Sequence, residues 1–213
     1  MGEIIIRPYA GKDRDAVRQI AFDTAFLGEP GSAFFDSREM LADFLTDYFI
    51  DYEPQSCFVA ESGGEVIGYL LGAKDSACPR PGLAGKLLLK AVKQNIIFNR
   101  KNAAFIFRCL TSFFRGEFKA PDFSREYPAT LHINIKDGFR SQGIGAKLIG
   151  VYLDYLKKEK IKGVHFATLS ERAANFYERL GFTLLHKAKR SYFNSILHKD
   201  VFCYIYGKRY EDN

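Results

Sequence analysis

The sequence predicts an α/β fold built on a mixed sheet, and three observations carry that prediction. Apolar strand-like runs alternate with helical periodicity through the second half of the 213 residues. A Ser62-Gly63-Gly64 turn joins two runs locally, and two further runs close the chain side by side. With 47% hydrophobic and 26% charged residues, the chain has the balance of a folded protein rather than a disordered one. Its length suits one domain with a sizeable core, so residues 1–213 are taken as one unit.

Each element follows in order. Residues 3–8 are Ile-rich and end at a proline, which reads as a first strand. Residues 13–27 place Val17, Ile20, Ala21 and Phe26 at helical spacing, with Gly28 as the stop. Residues 37–52 repeat the pattern with Met40, Leu41, Phe44, Leu45, Tyr48 and Phe49. Acids at 39, 43, 47 and 51 form a second stripe on that helix, read most simply as a solvated face. Residues 56–61 and 65–74 form the hairpin. Helical spacing recurs at Leu83, Leu87, Val92 and Ile96, then at Phe105, Ile106, Leu110, Phe113 and Phe114. These are two amphipathic helices broken near 99–102, with their aromatics read as core. A strand at 130–136, a long helix at 142–160, a strand at 163–169 and a short helix at 171–180 come next. Strands at 182–190 and 199–207 finish the chain.

The net charge of +6 is unevenly placed. Residues 80–119 carry Arg80, Lys86, Lys90, Lys93, Arg100, Lys101, Arg108, Arg115 and Lys119 against one acid, Glu117. Residues 28–56 carry Glu29, Asp36, Glu39, Asp43, Asp47, Asp51 and Glu53 against Arg38 alone. The chain is dipolar, so its basic balance makes no general case for nucleic acid as a partner. Cys57, Cys78, Cys109 and Cys203 lie far apart, a pattern of reduced thiols with neither a disulfide framework nor a zinc site. Lys and Arg interrupt every apolar run before it reaches the about 20 residues of a membrane span, and residues 1–7 lack a signal peptide's apolar core. The expected location is the cytoplasm.

The most informative segment is Lys136-Asp137-Gly138-Phe139-Arg140-Ser141-Gln142-Gly143-Ile144-Gly145-Ala146-Lys147, between a predicted strand and a predicted helix. Its glycines let the backbone approach a ligand closely, and the first amides of the helix can donate hydrogen bonds to an anion, so a phosphate or pyrophosphate is the expected guest. A Walker A loop fails because Ile144 follows Gly143. A dinucleotide fingerprint is weak because Leu148 stands where its third glycine belongs. Arg/Gln-x-x-Gly-x-Gly/Ala is filled by Arg140, Gly143 and Gly145. The plain alternative is a glycine turn that only starts a helix.

A second signal is Ala173, Phe176-Tyr177 and Gly181-Phe182, on a short helix entering a strand. At this point the chain resembles the GNAT superfamily of acetyl-CoA-dependent N-acetyltransferases, and it does so over most of its length and in that family's element order. The resemblance implies a mixed, mostly antiparallel central sheet flanked by helices. The basic helical segment at about 80–120 then reads as an insertion before the central strand. Tyr127-Pro128-Ala129-Thr130-Leu131-His132-Ile133-Asn134 and Leu27-Gly28-Glu29-Pro30 also resemble a branch that includes acetyltransferase-like domains of O-GlcNAc hydrolases.

The resemblance implies acetyl-CoA as co-substrate and no metal. The pyrophosphate would lie on the amides of Gln142, Gly143, Ile144, Gly145, Ala146 and Lys147, with Arg140 and Ser141 in the same turn. The pantetheine arm would pair like an added strand with Ile133, Asn134 and Ile135, since a β edge suits its two amides. Tyr177 matches the family tyrosine that protonates or hydrogen-bonds the departing thiolate; a core tyrosine is the plain alternative. Ser170 stands where the family often has Asn, which implies a weaker hold on the pantetheine.

The general base is less defined. His132 shares a strand face with Asn134 and would titrate near neutral pH, against the rival reading of a structural histidine. Glu29 is the next candidate. No cysteine has a local partner that would make it a nucleophile, so direct transfer without an acyl-enzyme is expected. Glu29 and Asp36 are the acceptor-binding candidates, suited to a cationic amine such as a polyamine, an amino sugar or a protein lysine. For the basic insertion, a lid or a packing role leads over self-association as a homodimer or contact with an anionic surface. Two other functions stay open: a catalytically silent acyl-CoA-binding module of the same fold, and a protein acting on a membrane or nucleic-acid surface through residues 80–119.

Overall fold

The computed structural model describes residues 2–78 and 82–210, apart from the Arg172 side chain; Arg80 of the basic stretch lies outside them. Seven strands form one sheet in the order β1-β2-β3-β4-β5-β7-β6. They are β1 (Ile4–Pro8), β2 (Phe58–Ser62), β3 (Glu65–Ala73), β4 (Ala129–Ile135), β5 (Gly163–Thr168), β6 (Thr183–Arg190) and β7 (Val201–Arg209). Every neighbouring pair is antiparallel except β4 with β5, which a helical crossover joins. This is the mixed, mostly antiparallel sheet that the sequence predicts. Gly63 (φ +59°) and Gly64 (φ +84°) close the β2–β3 hairpin in the left-handed conformation that matches strand twist.

One face of the sheet is covered by α5 (Ile144–Lys158) and α6 (Glu171–Arg179). The apolar stripe Leu148, Ile149, Tyr152 and Leu156 is fully buried there. Tyr152 packs flat enough on β3 that a Cβ on Gly72 would lie 2.3 Å from its ring. Its hydroxyl donates to the Thr130 carbonyl at 2.8 Å. The other face takes α1 (Arg14–Asp23) and α2 (Arg38–Ile50), which bury Val17, Ile20, Ala21 and Ile50 against Tyr69 and Leu71. α1 ends four residues before the predicted stop. Thr24 turns its hydroxyl back onto the Ile20 carbonyl (2.7 Å), and Leu27 and Gly28 follow at positive φ.

Between β3 and β4 stand α3 (Leu83–Lys93) and α4 (Arg100–Phe114). They overturn two expectations. The acidic stripe of α2 is no solvated face: Asp43 and Asp47 are buried, and α3 lies against them. Asp47 holds Arg14 and Lys86, each at 2.9 Å, and Asp51 holds the same two cations at 2.6 and 2.7 Å. Asp43 bonds Arg18 and Lys90. The second correction concerns the aromatics. Phe105 and Ile106 of α4 do pack inward with Phe34, Phe35 and Phe193, whereas Leu110, Phe113 and Phe114 are exposed. Among the described residues only one flank of α4 meets the body of the protein, which leaves apolar side chains on the other flank exposed. A one-turn helix, α7 (Asn194–Leu197), interrupts the chain between β6 and β7 without having been signalled by any periodicity.

Losing one partner of a buried ion pair costs about 3–5 kcal/mol when all members are buried. Here Arg14 and Lys86 keep contact with solvent, so Asp47→Asn is expected to cost less, about 2–3 kcal/mol. Urea unfolding followed by circular dichroism measures this, and an unchanged midpoint would remove the network from the account of stability.

Candidate functional site

β4 and β5 pair at Ala129–Val164 and Thr130–His165, and among the described residues nowhere else. β5 then follows β7 to Thr168 while β4 follows β3 to Ile135. The two parallel strands therefore part toward their carboxyl ends, the position where open α/β sheets receive ligands. The Lys136 amide donates to the Ile67 carbonyl (2.9 Å), which fixes which residues point where. His132 and Asn134 direct their backbone groups at β3, whereas Leu131, Ile133 and Ile135 direct theirs into the gap. This corrects one expectation: Asn134 has no backbone group free for a ligand. The Ile135 carbonyl accepts from Arg140 Nε at 3.2 Å, so Ile133 presents the free edge.

The turn after β4 is built from three left-handed residues, Gly138 (φ +82°), Ser141 (φ +64°) and Gly143 (φ +77°). α5 cannot begin at 142, because Gly143 has the wrong hand; it begins at Ile144. Lys147 donates its amide to the Gly143 carbonyl (3.1 Å). The amides of Ile144, Gly145 and Ala146, one turn earlier, are those a helix start leaves free. Lys147, expected among the amide donors, thus spends its own inside the helix. A Cβ at Gly143 would meet nothing within 4 Å, so glycine serves backbone conformation there. At Gly145 a Cβ would sit 3.2 Å from the Phe176 ring, so glycine there lets α6 close on the start of α5. Gln142 Nε2 reaches back to the Gly138 carbonyl at 3.2 Å. Arg140 leans across the turn, and its guanidinium donates to the Gly28 carbonyl at 2.8 Å.

Tyr177 is buried on α6, its ring 4.5 Å from Phe166 and 5.1 Å from Phe176 between centroids. Burial pushes the phenol up to about 12, so it keeps its proton at neutral pH. Among the described residues no group bonds its hydroxyl. Ser170 is the residue before α6, with a half-buried side chain that makes no capping bond.

His132 lies under α2, its ring 5.6 Å from Tyr69 and stacked 6.4 Å from Phe49. Asn134 Nδ2 donates to the Tyr69 hydroxyl (2.9 Å) and stands 3.3 Å from His132 Nε2. Burial pushes the imidazole down to about 4, against a smaller opposing pull from the Leu45 carbonyl. The expected titration near neutral pH is therefore corrected: His132 is a neutral ring there. Tyr69 is the member of this trio that sequence reasoning missed, because it joins only through the cross-strand pairing of Tyr69 with Asn134.

The two acidic candidates are placed differently. Glu29 is exposed in a tight loop closed by paired Phe26 and Glu29 backbones, one residue from the Gly28 carbonyl that Arg140 holds. Asp36 is tied to α4, accepting from Lys101 at 2.6 Å and Asn99 at 3.0 Å, and its charge is matched there. The structure thus brings Ile133, the 138–146 turn, Arg140 and the Gly28–Glu29 loop to one end of the sheet, and it leaves Asp36 engaged elsewhere.

Known proteins share this fold. The model of the acetyltransferase (GNAT) family matches residues 16–182. Among solved structures, the chain is similar to one described as SsHAT, at 20% identity and a TM-score of 0.66, covering 97% of this chain and 98% of that one. It is similar to a polyamine N-acetyltransferase of Drosophila melanogaster, described as catalysing the formation of N-acetylagmatine, at 14% identity and a TM-score of 0.63 over 98% and 100%. It is also similar to an agmatine N-acetyltransferase, at 15% identity and a TM-score of 0.60 over 97% and 99%. No curated protein sequence matches.

The folded His132 takes up its proton near pH 4, and an unfolded histidine does so near 6.5. The neutral ring is therefore favoured by the fold, and His132 lowers stability as pH falls from about 6.5 toward 4. Following the His132 ring carbons by NMR across pH 4–8 should show no titration above about pH 5; a midpoint near 6.5 would overturn the buried-ring account.

Proposed function

We propose, because this chain belongs to the acetyltransferase (GNAT) family, that it moves an acetyl group from acetyl-CoA directly to a primary amine of a cationic acceptor. The observation that carries the reading is the parting of β4 from β5 beside the start of α5. It combines a strand edge for an amide-bearing arm with free helix amides for a pyrophosphate. Acetyl-CoA, the family's co-substrate, supplies an acetyl thioester. In this reading Ile133 pairs with the pantetheine arm, and the amides of Gly143, Ile144, Gly145 and Ala146 receive the pyrophosphate. Arg140 and Gln142 brace the turn rather than touch the ligand, as their bonds to Gly28 and Gly138 support. Ser170, where the family often has Asn, gives the arm a shorter and weaker side-chain contact in this reading.

Tyr177 holds its proton and donates it, or a hydrogen bond, to the sulfur as negative charge develops there. His132 stays neutral and can accept a hydrogen bond from the attacking amine. A ring that protonates near pH 4 is too weak a base to strip an ammonium. The amine must then arrive neutral, or lose its proton to water. Direct transfer is supported by the thiols: burial pushes Cys57 up to about 12 and Cys109 up to about 11, so neither is a ready nucleophile. Glu29 is the acceptor contact favoured by its position and open charge. The agmatine-acetylating neighbours make diamines and guanidinium amines the first acceptors to try.

Calorimetric titration with CoA tests the turn: binding by wild type should be abolished in Gly143→Glu, and no binding by folded wild type would sink the reading. Binding without turnover across an amine panel would favour the silent module instead. Tyr177→Phe should lower kcat about 100-fold with little change in acceptor KM. Glu29→Gln should raise that KM several-fold, and Asp36→Asn should leave it unchanged. Acceptor kcat/KM should rise about tenfold per pH unit between 6 and 9, and a plateau that His132→Asn abolishes would restore His132 as the base.

A further inference from the structure

We propose that the outer face of α4, with the turn before it, docks on an anionic lipid bilayer. Along α4 the residues Ala103, Phe107, Leu110 and Phe114 recur at helical spacing on the side away from Phe105, Ile106 and Cys109. Phe107 is 67% exposed and Phe114 83%, and Phe98 in the preceding turn is 78% exposed. The face is held rigidly. Asn102, buried at the base of α4, accepts from the Asp36 amide at 2.7 Å, and Phe105 stacks into the aromatic cluster with Phe34 and Phe193.

Charge identifies the occupant. Lys86, Lys90 and Lys101 are consumed by Asp47, Asp43 and Asp36. Arg100, Arg108 and Lys119 form no ion pair among the described residues, Arg115 lies within the field of Glu117, and helical periodicity places the three arginines along one flank of the apolar stripe. Glu117, the one acid of the segment, is taken up by the Ser191 amide at 2.7 Å and the Ser191 hydroxyl. The face therefore offers apolar side chains with an excess of cations, Arg100, Arg108 and Lys119, over the single acid Glu117 that faces Arg115. A second copy would bring like charges together. A nucleic acid would meet the arginines but leave a stripe of Phe and Leu on a duplex or strand backbone. A bilayer with anionic headgroups meets both demands, taking the rings at the acyl boundary and the arginines at the phosphates. α4 also holds the loop before α2, through Lys101 and the Ser32 carbonyl at 3.0 Å, and the segment after β6, through Ser112 and Ser191. Docking would set both segments beside the membrane.

The chain contains no Trp, so Phe114→Trp installs a single reporter. Full-length protein is mixed with vesicles of phosphatidylcholine containing about one-third phosphatidylserine, and with phosphatidylcholine alone. The expected result is co-sedimentation with the anionic vesicles and about tenfold less with neutral ones or at high salt, with a blue shift of the indole emission from the Phe114→Trp variant. Phe107→Ser with Phe114→Ser should weaken vesicle binding at least tenfold while circular dichroism and thermal midpoint stay at wild-type values. Absence of sedimentation, unchanged binding by the double variant, or sedimentation without an emission shift overturns the proposal. So does a vesicle-independent dimer that the double variant dissolves, or binding to single-stranded DNA, and not to vesicles, that Arg100→Gln with Arg108→Gln and Arg115→Gln removes.

Discussion

The parting of β4 from β5 is the constraint on which the rest of the site depends. A parallel pair normally satisfies backbone groups along its length. Here β5 keeps its bonds to β7 and β4 keeps its bonds to β3, so the gap between them leaves the backbone of Ile133 without a partner on the β5 side among the described residues. Unpaired backbone groups are costly once dehydrated, so such a gap is stable only where water or a ligand can enter. Tyr152 secures the near end, filling the space over Gly72 and bonding the Thr130 carbonyl at the last paired position. Arg140 secures the far end by joining the Ile135 and Gly28 carbonyls.

Electrostatics organise the opposite face in a different manner. α1 and α2 share the apolar cluster of Val17, Ile20, Ala21 and Ile50, and beside it a layer of charge joins them to α3. They are joined by Arg14, Arg18, Lys86 and Lys90 around Asp43, Asp47 and Asp51. Nearby, hydrogen bonds from Arg7 hold the Asp13 carboxyl below its ordinary range, so the fold gains from this ionised carboxylate above about pH 4 and loses that gain in acid. The pairing of Lys86 and Lys90 in this way leaves most of the open positive charge of the segment on and beside α4. The asymmetry of the chain thus resolves into a paired half and an unpaired half.

Much of the site was legible from residues alone. Gly143 and Gly145 mark the turn because glycine there has specific duties, left-handed backbone at the first and close approach of Phe176 at the second. Tyr177 became a candidate only through the family resemblance that Ala173, Phe176-Tyr177 and Gly181-Phe182 carry. Less legible were the roles that depend on partners distant in sequence. Asp36 reads as an open carboxylate until Lys101 meets it, and the stripe at 43 and 47 reads as solvated until α3 lands on it. His132 reads as a neutral-pH base until Phe49 and Tyr69 surround it and burial lowers its proton affinity.

The sequence by itself determined the order and type of the strands and of every helix but the one-turn α7, together with the hairpin, the glycine turn before α5 and the family resemblance. Each of these rests on local spacing or local backbone preference, which a few consecutive residues specify. Tertiary structure decided the rest: which amides of the 142–147 run remain free, which β4 residues face the gap, and which charges are already paired. Those depend on register and burial. Both are set by residues far apart in the chain, and neither leaves a periodic trace in either segment alone.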